Sequence, residues 1–314
     1  MRKRLTITNL QQMKVESNKL TVMTAYDYPS AMLSEEAGVD IILVGDSLGN
    51  VVLGYETTLP VTLDDMIYHT KAVARGARNT FIVTDMPFMT YGIGREATLR
   101  NAARMMQEGG GQSLKLEGGE EIADEVAALV KAGIPVMGHI GLKPQSIHTH
   151  GGFKVQGKQE AEAEQLLRDA KALEQAGAYA IVLELVTETI ADRISRELSI
   201  PTIGIGAGRG CDGQVLVYHD ILQYSSPVIK KKMVKVYADI GSTIRDAIGA
   251  FVGEVKSGAF PAEEHVFGKR SENAVDSLYG GSATREHASD DQSAGGMKQA
   301  VEEAERRDFV PNHR

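Results

Sequence analysis

The chain has 314 residues, of which 42% are hydrophobic and 24% charged, a composition typical of globular proteins. A net charge of −8 gives no reason to expect a nucleic-acid or anionic-membrane partner. No run approaches the roughly 18 consecutive apolar residues of a membrane span, and no apolar signal core follows the basic residues 1–4. The single cysteine, Cys211, can form no intrachain disulfide, which fits a cytoplasmic location.

Eight short apolar runs are predicted to be strands, and a helix over residues 5–18, capped by Thr8, is predicted to cover one end of the structure. Successive runs end about 30 residues apart, which is the length of a βα unit when roughly 250 residues divide into eight. The sequence therefore predicts an α/β fold, a (β/α)8 TIM barrel. The predicted strands cover residues 20–25, 41–46, 81–85, 113–117, 135–139, 180–184, 200–206 and 214–219.

Two long loops and a polar tail interrupt this pattern. The loops at 50–60 and 141–158 exceed the length of simple turns and are predicted to be functional. Long helices are predicted over 160–176 and 234–256. Beyond residue 270 apolar residues become scarce, so we expect a barrel domain over 1–270 and a disordered tail over 271–314, with one short helix around 297–307.

Five of the predicted strands finish in one ionisable residue. Ligand sites in parallel barrels lie at the carboxyl ends of the strands, so we expect these five side chains to converge. They are Asp46, Asp85, Glu117, His139 and Glu184.

Asp46 and Asp85 end neighbouring predicted strands. Two adjacent carboxylates repel each other unless a cation lies between them, and hard divalent cations such as Mg²⁺ take carboxylate and water ligands. Either residue alone could equally cap the helix that follows it. The pair, within this pattern of strand ends, favours a metal site.

Lys115 and Glu117 are two residues apart on one strand, so their side chains point to the same side. Because Leu114 and Leu116 suit the helix layer, the two charged residues are predicted to face the barrel lumen. Lys115 could hold a substrate oxyanion, and Glu117 could join a metal shell directly or through water.

Glu184 and His139 are the candidates for proton transfer. A strand-end carboxylate beside apolar neighbours suits a general base, although Glu184 could instead be a structural carboxylate bonded to backbone amides. His139 could carry a proton or form a hydrogen-bonding wall of the site, and the wall is favoured. The glycine-rich segment 204–210 could bind phosphate, or its glycines could simply allow a tight turn.

Eight motifs that stand in order along the chain resemble those of the ketopantoate hydroxymethyltransferase (3-methyl-2-oxobutanoate hydroxymethyltransferase) family, and the resemblance covers about residues 5–267. The motifs are Leu-Val-Gly-Asp-Ser-Leu-Gly at 43–49, Leu-Pro-Val-Thr at 59–62, Asp-Met-Pro-Phe-Met at 85–89, Lys-Leu-Glu-Gly-Gly at 115–119, Gly-His-Ile-Gly-Leu at 138–142, Gly-Gly-Phe-Lys-Val-Gln-Gly at 151–157, Gly-Ile-Gly-Ala-Gly at 204–208 and Glu-Glu-His at 263–265.

The resemblance implies a barrel of the phosphoenolpyruvate/pyruvate type that assembles as a decamer of two pentamers. It also implies transfer of a hydroxymethyl group from 5,10-methylenetetrahydrofolate to 3-methyl-2-oxobutanoate through a Mg²⁺-stabilised enolate. The product would be 2-dehydropantoate, in the first committed step of pantothenate biosynthesis.

The resemblance also implies roles for individual residues. Asp46, Asp85 and Glu117 would form the Mg²⁺ shell. Asp46, Ser47, Asp85 and Lys115 would contact the keto acid, and Glu184 would be the proton acceptor.

Two alternatives remain open. A Mg²⁺-dependent carbon–carbon lyase on the same barrel would share the enolate chemistry, but such lyases often use a cysteine as an acid and Cys211 lies outside any motif suited to that role. A catalytically silent scaffold would be expected to lose its charged strand ends, whereas all five are present.

Overall fold

The computed structural model describes residues 4–152, 154–224 and 231–267. The chain divides into two compact units, residues 1–249 and residues 250–314. The first unit contains a closed barrel of eight parallel strands in chain order, in which the last strand pairs with the first. The predicted (β/α)8 barrel is therefore confirmed.

The eight strands are short, four to six residues each. They are β1 (Leu20–Thr24), β2 (Ile41–Val44), β3 (Phe81–Asp85), β4 (Ser113–Glu117), β5 (Val136–Gly141), β6 (Ala180–Glu184), β7 (Thr202–Ile205) and β8 (Gly213–Leu216).

The α-helices alternate with the strands. They are α1 (Ile7–Val15), α2 (Tyr28–Glu36), α3 (Leu48–Val51), α4 (Leu63–Gly76), α5 (Arg95–Arg104), α6 (Ala123–Lys131), α7 (Ile147–His150), α8 (Glu160–Gln175), α9 (Glu188–Glu197), α10 (Tyr218–Ile221) and α11 (Ile240–Ser257). Short 3₁₀ turns cover Glu120–Ile122, Pro144–Ser146 and Glu263–His265, and a π-helical turn, Met105–Gly109, extends α5.

Two predicted helix starts were wrong. The cap of α1 is Thr6, not Thr8, because the Thr6 hydroxyl accepts a hydrogen bond from the Asn9 N–H and the Asn9 side chain accepts one from the Thr6 N–H. The long helix predicted from residue 234 begins at Ile240. The predicted eighth strand also ends early, at Leu216, because the chain turns into α10.

The core has two layers that follow the alternation of side chains along each strand. One cluster fills the lumen and consists almost wholly of strand residues, such as Leu43, Val83 and Val182. The other lies between the strands and the outer helices and includes Leu114 and Leu116. The prediction that these two leucines face the helices is confirmed, and it leaves Lys115 and Glu117 facing the lumen.

The second unit is described only as far as residue 267. It contains the end of α11 and the turn Glu263–His265, where the Phe260 ring lies 5.6 Å from Phe251 and 5.1 Å from His265. The predicted tail at 271–314, including the short helix at 297–307, lies outside the described residues. None of the helices in the described part of the chain has both the length and the apolar content needed to cross a bilayer.

Candidate active site

The lumen-facing positions of the strands change from apolar to polar at the carboxyl end of the barrel. Val83 is followed two residues later by Asp85, Met137 by His139, and Val182 by Glu184. Period-two alternation keeps each polar side chain on the same face as its apolar predecessor. The apolar lumen core therefore ends beneath a layer of ionisable groups, as the strand-end pattern predicts.

Asp46, two residues beyond β2, lies beside Asp85, the last residue of β3. Both are buried, and the Asp46 backbone N–H donates a 3.0 Å hydrogen bond to Asp85 Oδ2. Gly45 permits this approach, because a Cβ there would lie 2.9 Å from Ser47 Oγ and 3.4 Å from Asp85 Oδ2. Burial, followed by the charge of Asp85, raises the pKa of Asp46 to about 7.

Lys115 is the ammonium group within this carboxylate layer. Its Nζ lies 3.1 Å from Asp85 Oδ1 and 2.9 Å from His139 Nδ1, and the side chain is 4% exposed. Burial acts to lower the pKa of Lys115, but the charges of Asp85, Glu117 and Asp46 outweigh it and hold this pKa above its usual value. The residue is therefore a fixed positive charge.

Glu117 is also buried, and its two carboxylate oxygens have different surroundings. Oε2 accepts a 3.0 Å hydrogen bond from the Gln145 backbone N–H. Oε1 is buried and accepts no hydrogen bond. Burial and the charge of Asp46 raise the pKa of Glu117 well above its usual value.

The donor set fits a divalent cation. Asp46, Asp85 and Glu117 lie around one ammonium group, so when all three are ionised two negative charges are uncompensated in a buried layer, and the pKa values of Asp46 and Glu117 are raised accordingly. Asp85 Oδ1 and Glu117 Oε1 also accept no hydrogen bond, although Asp85 Oδ1 forms an ion pair with Lys115. Unpaired buried carboxylate oxygens are costly unless a cation or water satisfies them.

These carboxylates do not form a complete metal cage. Across residues 4–152, 154–224 and 231–267, no group of three or more His, Cys, Asp or Glu side chains is arranged to hold a metal ion. Mg²⁺ usually takes one or two carboxylates and completes its shell with water and substrate oxygens. The arrangement therefore suits Mg²⁺ better than a cation that takes all its ligands from the protein. The three-carboxylate shell itself stays a prediction.

His139 links Lys115 to Glu184. Its Nδ1 lies 2.9 Å from Lys115 Nζ, and its Nε2 lies 3.0 Å from the Leu142 carbonyl oxygen and 3.3 Å from Glu184 Oε2. Because the Leu142 carbonyl can only accept, the proton belongs on Nε2, and Nδ1 accepts from Lys115. Burial, then the charge of Lys115, lowers the pKa of His139. These contacts favour the predicted wall over a proton carrier.

Glu184 is the most exposed of the five strand-end residues, with 13% of its side chain accessible. Its position depends on Gly141, the residue beside it on β5. Gly141 has φ of +95°, and a Cβ there would lie 2.2 Å from the Glu184 carbonyl oxygen. Close backbone approach thus brings Glu184 to the lumen next to His139.

Ser47 follows Asp46 and lies at the same end of the barrel. Its Oγ lies 2.8 Å from the hydroxyl of Tyr26, which is buried after β1. Burial raises the pKa of Tyr26, so its hydroxyl stays protonated and can donate to Ser47. The predicted keto-acid contacts Asp46, Ser47, Asp85 and Lys115 therefore all lie at the carboxyl end of β2, β3 and β4.

Gln145 and Tyr91 are site residues that the sequence reasoning missed. Gln145 donates from Nε2 to Asp46 Oδ2 at 2.9 Å, and the Tyr91 hydroxyl donates to Gln145 Oε1 at 2.7 Å. Both lie in loops without periodic pattern. The only available signal was the presence of Gln145 in a long loop that was predicted to be functional.

The glycine-rich turn at 204–210 is filled by acidic side chains of α9. A Cβ on Gly208 would lie 2.4 Å from the Glu188 side chain, and Glu188 Oε1 accepts from the Arg209 N–H at 3.1 Å and from Nε at 2.9 Å. This turn therefore binds a carboxylate of its own chain, which supports tight geometry over phosphate binding.

A comparison with protein families finds a match between residues 4–263 and the family model described as ketopantoate hydroxymethyltransferase. Two similar relatives carry the name 3-methyl-2-oxobutanoate hydroxymethyltransferase. The protein from Halalkalibacterium halodurans is 54% identical over 279 residues, which cover 89% of this chain and 99% of the relative. The one from Carboxydothermus hydrogenoformans is 56% identical over 264 residues, covering 84% and 95%.

Solved structures with the same fold are more distant in sequence. Phosphoenolpyruvate phosphomutase from Streptomyces platensis subsp. rosaceus superposes with a TM-score of 0.55 at 16% identity, covering 96% of this chain and 99% of the other. A 2,3-dimethylmalate lyase, described as a member of the PEP mutase/isocitrate lyase superfamily, gives 0.52 at 17% identity, covering 96% and 98%. At these identities the likeness establishes the barrel type and no more.

Proposed function

The chain belongs to the ketopantoate hydroxymethyltransferase family, and from this we propose that it transfers a hydroxymethyl group to 3-methyl-2-oxobutanoate. We propose 5,10-methylenetetrahydrofolate as the one-carbon donor and 2-dehydropantoate as the product, at the entry to pantothenate biosynthesis. The observation that carries the proposal is the family match over residues 4–263, which includes every ionisable strand end at the carboxyl end of the barrel.

The proposed cofactor is Mg²⁺. Asp46, Asp85 and Glu117 would hold it, since they carry the uncompensated charge of the buried layer and include two oxygens without hydrogen-bond partners. When bound, Mg²⁺ supplies Lewis-acid chemistry that favours loss of a proton next to the keto group.

Lys115 and Ser47 are proposed to hold the keto acid. The fixed positive charge of Lys115 attracts the substrate carboxylate and the negative charge that develops on the keto oxygen. When Ser47 Oγ accepts the hydrogen bond of the Tyr26 hydroxyl, the Ser47 hydroxyl is free to donate its own hydrogen bond to a substrate oxygen.

Glu184 is proposed to remove the C3 proton of the keto acid. Its partial exposure leaves access to substrate. The Nε2–H of the neutral His139, which donates to the Leu142 carbonyl at 3.0 Å, also lies 3.3 Å from Glu184 Oε2. His139 is therefore a positioning residue for both Lys115 and Glu184. C3 then forms a carbon–carbon bond with the one-carbon unit, and both bonds from that unit to the folate nitrogens break. Water supplies the hydroxyl oxygen of 2-dehydropantoate, and tetrahydrofolate leaves with both nitrogens protonated.

The lyase alternative has weaker support. The 2,3-dimethylmalate lyase shares the barrel but only 17% of its sequence. Such a reaction would need a cysteine as an acid. Cys211 is buried and lies two residues before the amino end of β8, at the opposite end of the barrel from the carboxylates.

Assembly and location complete the proposal. We propose a cytoplasmic homodecamer built from two pentamers, with no nucleic-acid or membrane partner. Sedimentation should then give a particle of about ten times the 33.9 kDa chain mass. A monomer at micromolar concentration would contradict the proposed assembly without bearing on the chemistry.

The proposed reaction is tested by incubating the protein with 3-methyl-2-oxobutanoate, methylenetetrahydrofolate and Mg²⁺. We expect 2-dehydropantoate by mass spectrometry, and its loss when EDTA replaces Mg²⁺ or when the folate is omitted. Incubation with 2,3-dimethylmalate and Mg²⁺ is the parallel reaction. Cleavage of that compound, with no 2-dehydropantoate from the first mixture, would favour the lyase.

A further inference from the structure

Gln145 occupies an unusual position in the carboxylate layer. It lies in the 3₁₀ turn after β5 and is 5% exposed. Its backbone N–H donates to Glu117 Oε2 at 3.0 Å, and its Nε2 donates to Asp46 Oδ2 and to the Met86 carbonyl oxygen, each at 2.9 Å. Its Oε1 accepts from the Tyr91 hydroxyl at 2.7 Å. One residue thus holds two carboxylates of different strands.

The orientation of the Gln145 amide is determined by its partners. The two protons of Nε2 point at the Met86 carbonyl oxygen and at Asp46 Oδ2. The carbonyl can only accept, and so can the carboxylate when Asp46 is ionised. A flipped amide would place Oε1 against these two oxygens and direct Nε2 at the Tyr91 hydroxyl. The Met86 carbonyl and the Asp46 carboxylate therefore select the orientation in which Gln145 donates to them, and the Tyr91 hydroxyl stabilises it by donating to Oε1.

The Tyr91 hydroxyl also forms a hydrogen bond with the backbone of Glu117. Its hydroxyl oxygen accepts from the Glu117 N–H at 3.0 Å and lies 3.1 Å from the Glu117 carbonyl oxygen. Since a hydroxyl has one proton and Gln145 Oε1 needs a donor at 2.7 Å, that proton goes to Gln145. Tyr91 thus connects the end of β4 to the amide that holds Asp46.

Each carboxylate has one oxygen bonded to Gln145 and a second oxygen that Gln145 leaves free. For Glu117 this second oxygen, Oε1, is buried, accepts no hydrogen bond and lies 3.6 Å from His139 Nδ1. Two rotatable carboxylates held in this way keep their free oxygens in a fixed direction without a metal present. Outer partners of this kind commonly change metal affinity or activity by about 10- to 100-fold when they are removed.

We propose that Gln145 is a positioning residue that holds Asp46 and Glu117 in a fixed arrangement. The Tyr91 hydroxyl supports it by donating to the Gln145 side-chain oxygen, and the fixed arrangement sets the affinity of the site for a divalent cation. This inference rests on the proposed metal site. Gln145 also lies in the 3₁₀ turn that directly precedes α7, so the conformation of this turn is tied to the carboxylates.

The test measures binding of Mn²⁺, by electron paramagnetic resonance, to the full-length protein without substrate. Gln145→Met keeps the side-chain length and the backbone N–H but removes both N–H donors of the side-chain amide. We therefore expect a loss of affinity of about 10- to 100-fold. Tyr91→Phe keeps the ring and removes only the orienting hydroxyl, so we expect a smaller loss. Because the defect lies in affinity, high Mg²⁺ should restore most of kcat in both variants.

Two matched controls separate positioning from general stability. Gln112→Met removes a glutamine that accepts from the Ile82 N–H at the amino end of the barrel. Tyr179→Phe removes the hydroxyl of a buried tyrosine that directly precedes β6. Both controls should bind Mn²⁺ like the wild type, whatever their effect on Tm.

The outcomes distinguish this inference from the proposed reaction. Wild-type Mn²⁺ affinity in a folded Gln145→Met protein would overturn the inference, and Tyr91→Phe provides the same test if that variant does not fold. A wild-type protein that binds no Mn²⁺ would overturn it together with the metal assignment. Reduced affinity in the variants of a wild type that forms no 2-dehydropantoate would support the inference while the proposed reaction fails.

Discussion

The buried carboxylates at the two ends of the barrel differ in how fully hydrogen bonds and ion pairs satisfy them. At the amino end, Asp212 Oδ2 is close to three donors, namely Lys14 Nζ at 2.7 Å, the Thr202 N–H at 2.8 Å and Thr202 Oγ1 at 3.0 Å. At the carboxyl end, three carboxylates share the single ammonium of Lys115, and two of their oxygens accept no hydrogen bond.

The pKa values follow the same division. Burial acts to raise the pKa of Glu35, but hydrogen bonds from Asn79 and Thr80 at the amino end outweigh it and lower this pKa. At the carboxyl end, burial and neighbouring carboxylates raise the pKa values of Asp46 and Glu117. The carboxylates at the amino end are therefore stabilised by their own hydrogen bonds, whereas those at the carboxyl end lack positive charge, which the proposed Mg²⁺ would supply.

Substituting one aspartate at each end of the barrel should produce the largest difference between effects on activity and effects on stability. Asp46→Asn removes a proposed metal ligand, so we expect weaker Mg²⁺ binding and a loss of activity on the order of 10³-fold, equivalent to about 4 kcal/mol. The Tm of the metal-free variant should be unchanged or higher, because repulsion with Asp85 is relieved. Isothermal titration with Mg²⁺, initial rates and thermal melts measure the three quantities.

Asp212→Asn should show the reverse pattern. It removes the charge that accepts from Lys14 and Thr202, so we expect a loss of about 2–3 kcal/mol in the free energy of unfolding, with kcat of the folded protein unchanged. The comparison fails if Asp46→Asn is the variant that melts early and Asp212→Asn is the one that loses turnover.

The pH dependence of stability tests the same contrast. The pKa of Asp46 is about 7 in the folded protein and 3.8 without the fold, so between these values the metal-free native state holds a proton that the unfolded chain has lost. Its stability must therefore fall as pH rises through this window. Mg²⁺ needs the ionised carboxylates, so its stabilising effect should grow over the same window.

Melts in EDTA and in excess Mg²⁺ at about pH 5.5 and about pH 8 measure this effect. We expect the difference in Tm between the two conditions to widen by several degrees at the higher pH. Asp46→Asn should remove most of the widening. An equal difference at both pH values would show that the carboxylates do not carry the proton that the structure assigns to them.

Substituting one serine at each end of the barrel should give the smallest changes in activity and stability. Ser47→Ala removes the hydroxyl that receives the Tyr26 hydrogen bond and is proposed to contact substrate, so kcat/KM should fall about tenfold, equivalent to about 1.4 kcal/mol. Ser195→Ala, at the amino end, removes hydrogen bonds to Ala191 and Thr202 and should cost about 1 kcal/mol of stability with kcat/KM unchanged. Equal kcat/KM in both variants would remove Ser47 from the site.

The regular parts of this structure were predictable from local sequence. The apolar runs within 81–85 and 180–184 coincide with β3 and β6, because strands covered on both sides need mostly apolar residues. Period-two alternation also placed Lys115 and Glu117 in the lumen. Strand-end charges were visible for the same reason, since each interrupts an apolar run.

The missed features depend on contacts that local patterns do not encode. Gln145 lies 99 residues from Asp46 along the chain, and its role arises only when the barrel brings β2 and β5 to the same lumen. The cap of α1 was misplaced because Thr6 and Thr8 both suit a helix start. The choice between them depends on the reciprocal hydrogen bonds of Asn9.

The proposed removal of a proton from the keto acid at the carboxyl end of the barrel depends on Glu184. Its most direct test is exchange of the C3 proton of 3-methyl-2-oxobutanoate with deuterated water, followed by NMR without folate. Glu184→Gln keeps the size of the side chain and an oxygen that can accept from His139, so keto-acid binding should change by no more than a few-fold. Glu188→Gln, four residues along the chain at the glycine-rich turn, is the matched control.

We expect exchange to fall by roughly 10²- to 10⁴-fold in Glu184→Gln, the loss typical of a missing general base, and to stay at the wild-type rate in Glu188→Gln. Exchange at the wild-type rate in a folded Glu184→Gln protein would contradict the account and make His139 the next candidate for the base.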